Sequence, residues 1–144
     1  MEAALGMSYA GKRAMVCMKH VGLNVAADAF MNSAITGVNG GLLITVADDP
    51  SMHSSQNEQD NRYYAKLGGL PLVEPSTIQE AKDMVAYAFD LSEKLKEPVI
   101  FRTTTRINHS SGIVKLNPIS PPVVKGDFIK DPLNLVPVPV VARK

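Results

Sequence analysis

The run Leu42-Leu43-Ile44-Thr45-Val46-Ala47 constrains the fold more than any other stretch of this chain. Its apolar residues do not alternate with polar ones. Extended, it would show apolar side chains on both faces, as buried strands of parallel sheets do. It then empties into Asp48-Asp49-Pro50-Ser51-Met52-His53-Ser54-Ser55-Gln56-Asn57-Glu58-Gln59-Asp60-Asn61-Arg62, which has almost nothing to bury. Open α/β sheets bind ligands outside the carboxyl ends of their strands. Loops on a rigid scaffold carry function more often than cores do. Solvation alone does not require His, Ser, Gln, Asn and Arg at this density. The competing reading is a hydrophilic surface loop.

The rest of the chain repeats the alternation. Residues 2–10 read as a helix without a preceding cap, and 13–18 as a short apolar strand. Residues 21–38 read as one long helix, with Leu23, Ala26, Ala27, Phe30, Met31, Ala34 and Ile35 at helical spacing. Asn39-Gly40-Gly41 breaks it, and 41–47 is the second strand. A helix over 59–67 ends at Gly68-Gly69, and 70–73 is a third strand. Pro75-Ser76-Thr77 opens a helix in which Ser76 with Gln79, or Thr77 with Glu80, has capping-box spacing. Ile78, Ala81, Val85, Ala88, Leu91 and Leu95 form its apolar face, and 98–103 is the fourth strand. The expected architecture is α/β: three layers, with helices on both faces of a mostly parallel sheet. After Thr105, prolines 118, 121, 122, 132, 137 and 139 break regular patterns. Residues 1–112 therefore read as the domain. Residues 113–144 read as a proline-rich extended arm or interdomain linker, partly disordered alone or lying against a partner.

Composition excludes several classes. The length of 144 residues fits one domain. A net charge of +1 with scattered Lys and Arg argues against nucleic-acid binding. No apolar run approaches the ~18 residues of a membrane span, and no signal peptide is visible at the start. The single cysteine, Cys17, cannot form an internal disulfide, which fits a cytoplasmic protein. Its strand position suggests a small buried core residue. Met7, Met15, Met18, Met31, Met52 and Met84 read as packing.

Two segments could carry chemistry. Lys19-His20-Val21-Gly22-Leu23-Asn24 follows the first strand and starts a helix. Lys19 and His20 could donate to an anion there, and Gly22 lets backbone approach closely. An ordinary strand-to-helix turn explains the same pattern. No Gly-x-Gly-x-x-Gly supports a dinucleotide site. The second segment is the polar loop, with His53, Ser54, Gln56, Asn57 and Glu58. His20, His53 and His109 all follow strand ends, but no pair has metal-motif spacing, so no metal site is assigned. Arg102 and Arg106 flank Thr103-Thr104-Thr105 and could hold an anion, with solvated surface arginines the default.

Three stretches carry a family resemblance. Met18-Lys19-His20-Val21-Gly22-Leu23-Asn24-Val25-Ala26-Ala27-Asp28, the segment Val46 through Tyr63, and Arg102-Thr103-Thr104-Thr105-Arg106 resemble the thiamine-diphosphate-dependent 2-oxoacid:ferredoxin oxidoreductases. Glu74-Pro75-Ser76 with Gln79-Glu80-Ala81-Lys82-Asp83 adds to it. The likeness is strongest to the alpha-subunit group acting on aryl 2-oxoacids such as indolepyruvate. It covers roughly residues 2–112 and reappears near Lys130-Asp131-Pro132 and Val136-Pro137. It implies a pyrimidine-binding-type domain that pairs with a diphosphate-binding domain, the cofactor lying between them. The implied activity is oxidative decarboxylation to an acyl-CoA, electrons passing through iron–sulfur clusters to ferredoxin. The resemblance makes His20 and His53 the candidate catalytic residues. It makes Lys19, Gly22, Asn24, Ser54, Gln56, Asn57 and Glu58 the candidate cofactor-binding residues. A beta subunit, ferredoxin and coenzyme A are the implied partners.

The chain also departs from that family. The cofactor-activating Glu lies in a Trp-Ser-x-Asn-Glu-Lys segment a few residues before the place where Glu2 falls, and that segment is absent. The first strand of the domain and the diphosphate- and magnesium-binding half are absent too. One cysteine cannot hold an iron–sulfur cluster, which needs several thiolates. The expectation is an N-terminally truncated fragment that is inactive alone and self-associates through its exposed sheet edge. The alternative is a non-catalytic flavodoxin-like binding or subunit-interaction domain.

Overall fold

The computed structural model describes residues 1–119 and 126–142. Its four strands are β1 (Ala14–Lys19), β2 (Leu42–Asp48), β3 (Leu72–Val73) and β4 (Val99–Thr104). They form one sheet in the order β1-β2-β4-β3, all pairs parallel. The helices are α1 (Glu2–Tyr9), α2 (His20–Val25), α3 (Ala27–Thr36), α4 (Arg62–Gly68), α5 (Ile78–Leu95) and α6 (Thr105–Asn108), with short turns α7 (Pro132–Leu135) and α8 (Pro139–Ala142). Every strand-to-strand connection crosses the sheet through a helix, as parallel pairing requires.

The two sheet faces carry separate cores. Leu42, Ile44 and Val46 of β2 point to one face, where Leu5, Leu23, Phe30 and Ala65 from α1 to α4 cover them. Leu43 and β4's Val99 and Phe101 point to the other, against Ala88 and its neighbours on α5. The continuous apolar character of β2 thus serves both cores. Phe30 is fully buried and meets Tyr64 edge-on, ring centroids 5.6 Å apart. This is a favourable aromatic geometry.

At the amino end of the sheet, the breaker after α3 is fixed by close approach. Gly40 donates its N–H to Ser8 O at 2.8 Å, and the Ser8 hydroxyl donates back to Gly40 O. A Cβ on Gly40 would sit 2.4 Å from Lys12 O, so no larger residue fits. Gly37, at φ 70°, turns α3 into this breaker.

Several expectations need correction. The long helix over 21–38 is two helices, interrupted at Ala26 (φ −89°, ψ 9°). The capping box is split: Glu80 N donates to Thr77 Oγ1 at 3.1 Å, while Glu80 Oε2 accepts from Ser76 N rather than Thr77 N. Cys17 is exposed, and so is Met15 beside it. Both lie on the α5-side face of edge strand β1, beyond the reach of α5. Met7 and Met52 are exposed as well, whereas Met18, Met31 and Met84 pack against the cores. Arg102 is not a surface arginine but is 4 % exposed.

The proline-rich arm contains more structure than the prolines suggest. α7 and α8 each begin on a proline, where the missing N–H costs nothing. Lys115 N donates to Gln79 Oε1 at 2.7 Å, laying the start of the arm along α5. Asn39 Nδ2 donates to Asp127 O at 3.1 Å, holding a later part at the amino end of the sheet. Prolines 121 and 122 lie outside the described residues.

Candidate functional site

The site forms where neighbouring strands β2 and β4 send the chain to opposite faces. After Asp48 the loop leads to α4 on one face. After Thr104 the chain passes through α6 to Lys115, which bonds α5 on the other. A cleft opens between the two departures, as expected at such a switch in a parallel sheet. It has two adjoining lobes of about 220 and 510 Å³ that share Thr105 and His109.

Two adjacent aspartates build its floor in different ways. Asp48 is buried and takes Arg102 Nε at 2.6 Å and Asn61 N at 3.0 Å on Oδ2. Asn61 Nδ2 donates to its other oxygen. Arg102 also pairs with Glu74 and lies 3.7 Å from Asp60. Burial lowers the Arg102 pKa, and bonds to Asp48 and Glu74 more than reverse that, so the net shift is upward. The register places Arg102 beside Val46, one pleat below Asp48. This network clamps the far half of the loop, 56–62, to the sheet.

Asp49 organises the near half. Its carboxylate accepts from Thr105 Oγ1 at 2.7 Å, His53 N at 3.2 Å, Ser54 N at 2.8 Å and Ser55 Oγ at 2.8 Å. These donors, Thr105 first and then the Ser54 amide, hold its pKa well below the usual carboxylate range. Lys19 Nζ lies 3.8 Å from Asp49 and donates to Ser54 O at 3.2 Å. To enter this cage the chain bends through Ser51 (φ 68°) and Met52 (φ 51°), left-handed conformations unusual for residues with a Cβ. Backbone strain of this kind clusters at functional sites.

The candidate residues do converge at this end of the sheet, but in different roles. His20 is fully buried at the start of α2. Its Nε2 donates to Asn57 O at 3.0 Å, and Nδ1 has no hydrogen-bond partner among the described residues. Asn57 Oδ1 also accepts from Gln59 Nε2 at 2.9 Å. Gly22 lies inside α2, and a Cβ there would sit 2.9 Å from Met18 Cβ; the close approach it permits is to β1. Asn24 accepts from the Tyr64 hydroxyl at 2.8 Å, joining α2 to α4. Ser54 faces Lys19 at the cleft. Gln56 and Glu58 are exposed on the loop. His53 is exposed and lines the larger lobe with His109 and Arg106. His20 therefore stands apart from His53 and His109, and the described residues contain no cluster able to hold a metal ion.

The sequence reading passed over Asp48, Asp49, Asn61 and Thr105. A signal was available. A doubled aspartate ends one strand, and an arginine with a run of threonines ends another; charges at such positions need partners when buried.

No family model matches the chain. Over 99% of its length it is 54% identical, across 147 residues, to the indolepyruvate oxidoreductase subunit IorA of Pyrococcus abyssi. It is 56% identical to the IorA subunit of Thermococcus kodakarensis and 51% to that of Methanothermobacter marburgensis, again over 99% of the chain. The chain is homologous to a stretch of IorA. It spans about 23% of the length of these curated relatives. The fold also resembles a solved 2-oxoglutarate:ferredoxin oxidoreductase from Magnetococcus marinus, described with 2-oxoglutarate, coenzyme A and succinyl-CoA bound. The TM-score is 0.64 at 20% identity, over 74% of this chain and 20% of that one, a likeness of fold.

Proposed function

We propose that this chain is the pyrimidine-binding-type part of an indolepyruvate:ferredoxin oxidoreductase, with 1–112 as the domain and 113–144 as its outgoing arm. The enzyme oxidatively decarboxylates an aryl 2-oxoacid with coenzyme A, giving the acyl-CoA and carbon dioxide and passing two electrons to ferredoxin. The observation that carries this reading is identity of 51–56% to IorA subunits over 99% of the chain, the polar loop included. The proposed setting is cytoplasmic; no helix among the described residues is long and apolar enough to cross a membrane.

Thiamine diphosphate with Mg²⁺ is the cofactor this reading implies, and it would supply the electron sink for decarboxylation. The described residues do not fit it alone. Asp48 and Asp49, the carboxylates at the cleft, are both committed to protein donors, and no cluster suits a magnesium ion. On this reading the activating acid, the magnesium ligands and the iron–sulfur clusters belong to other parts of the enzyme. This chain contributes a shaped wall. His53, exposed on the strained loop, is the donor or proton carrier beside the substrate. His20 acts through Asn57 by holding that loop. Lys19 and Ser54 line the smaller lobe.

Partners fit the uncovered surfaces. β1 is an edge strand with Met15 and Cys17 exposed, and Ile113, Leu116 and Ile119 of the arm are exposed too. Exposed apolar patches mark contact surfaces; here a beta subunit and a second copy of the subunit would cover them.

The test places His53→Ala in the full-length subunit with its partner and follows 2-oxoacid-dependent acceptor reduction. Loss of proton transfer lowers turnover by about 10²–10⁴. A change in affinity alone makes His53 a substrate-positioning residue. Native turnover and affinity would overturn its role at the site.

A further inference from the structure

Another cavity, of about 250 Å³, lies at the opposite end of the sheet from the cleft, where the strands begin. One wall belongs to the domain: Tyr9 at the end of α1, Thr36 at the end of α3, and Asn39 and Lys96, which precede β2 and β4. The other wall belongs to the arm: Ile129, Asp131 and Leu135. Close backbone approach holds the two walls together. Gly11, at φ 72°, admits Asp127 so near that a Cβ would sit 2.8 Å from Asp127 N, and Asn39 Nδ2 donates to Asp127 O at 3.1 Å. The walls bring one charge of each sign to the cavity, and each keeps bonding capacity. Lys96 Nζ donates to Asn39 O at 3.1 Å, and an ammonium has three donors. Its charge also favours the ionised form of Glu93, without a salt bridge between them. Asp131 accepts from Asn134 N at 3.3 Å and from Asn134 Nδ2, and an ionised carboxylate can accept more.

From this geometry we infer that the cavity between arm and domain binds a small zwitterion with an apolar side chain, of the α-amino acid class. Lys96 takes the carboxylate. Asp131 takes the ammonium, with the oxygen lone pairs of Tyr9 and Thr36, whose hydroxyls bond each other at 2.6 Å, as further acceptors. Helices α1, α3 and α5 all end on this side of the sheet, and the negative ends of their dipoles favour a cationic group. Val38, Ile129 and Leu135 supply the apolar contacts. A plain anion or a plain cation would meet only one of the two charges and leave the other covered without a partner, which is costly. The volume falls below that of clefts that take drug-sized ligands and suits a small metabolite. Because the ligand bonds one wall from each part, its binding fastens the arm to the domain. The inference goes beyond the chemistry proposed at the cleft and does not rest on it.

The test follows binding of L-phenylalanine and L-leucine to the full-length subunit with its partner by isothermal titration calorimetry. Phenylacetate and phenethylamine serve as the same aryl side chain lacking one of the two charges. At least one amino acid should bind, phenylalanine more tightly than either comparator, and Lys96→Met or Asp131→Asn should weaken binding on the order of 10- to 100-fold, the range of a lost bond to a charged group. Asparagine is itself a good N-cap, so Asp131→Asn keeps α7. Ile129→Trp, at an exposed position, fills the cavity and should abolish binding with both charges in place. Amide exchange locates the ligand: it should slow over 36–39 and 129–135 and stay unchanged over 49–62 at the cleft. Phenylacetate that binds as tightly as phenylalanine, with the same exchange pattern, makes the cavity a site for anions and overturns the zwitterion. No binding of either amino acid, slowing at the cleft alone, or variants that bind as the native enzyme does would each overturn the cavity as a site.

Discussion

One loop, two halves, two kinds of order: residues 49–55 and 56–62 leave the same strand end but answer to different anchors. The far half is buried chemistry. Asp48, Arg102, Asn61 and the His20–Asn57 bond tie it to the sheet from beneath. The near half is held from inside by Asp49, whose donors are backbone amides and hydroxyls, and its outer surface carries the His53 ring, which has no partner among the described residues. The difference teaches where function can reside. A side chain spent on structure cannot also meet a ligand, so chemistry falls to the half whose polar groups are left over.

Removing Asp48 should have the largest effect. Asp48→Ala strands Arg102 in a buried position with Glu74 and Asp60 as partial substitutes. Breaking a buried pair from one side costs about 3–5 kcal/mol. Urea unfolding of the variant should show a loss in that range. A loss no greater than that of an exposed pair would mean that Glu74 and Asp60 carry the clamp instead. Then the far half would be no more firmly anchored than the near half.

His20 comes next and separates the halves directly. His20→Ala removes a buried donor and leaves Asn57 O unpaired, about 1–3 kcal/mol. His20→Gln can restore the donor and should recover part of it. Amide exchange should quicken over 56–62 in the alanine variant and stay unchanged at 53–55, which answer to Asp49. Equal loosening of both halves would merge them into a single unit.

Acid should act on the network through Asp49 and Asp60, whose pKa values are both depressed: Asp49 by Thr105 and the Ser54 amide, Asp60 chiefly by its bond to Arg62. A depressed carboxylate binds fewer protons when folded than when unfolded. Its contribution is complete above the unfolded value of about 4 and is lost as pH falls through the folded one. The urea midpoint should therefore hold between pH 7 and 5 and drop below about 4. A decline starting near pH 6 would assign the sensitivity to other groups.

Much of this was readable in the chain. The doubly apolar β2 announced a parallel sheet, and the Gly40-Gly41 break and the Thr77-Glu80 spacing placed turns and caps. What could not be read was which polar residues face inward. Arg102 looks solvated in sequence because its partners, Asp48 and Glu74, lie far away along the chain and meet it only through strand order. His20 looks like a ligand-facing turn residue because its burial depends on a carbonyl of residue 57. Cys17 looks like core because a strand pattern does not say that α5 stops short of β1. In each case the missing information is the assembly of the sheet, not local propensity.

The smallest effect on stability should come from His53, and it is the sharpest test of the contrast. Its ring is exposed and makes no bond among the described residues; only its backbone N–H serves the Asp49 cage. His53→Ala keeps that amide, so the cage closes as before. A surface substitution of this kind falls within about ±0.5 kcal/mol. Urea unfolding should be unchanged and amide exchange at 53–55 should stay slow, while 2-oxoacid turnover in the full-length enzyme falls. If the variant instead loosens the loop, the ring is part of the scaffold, and the near half has no side chain to spare for a substrate.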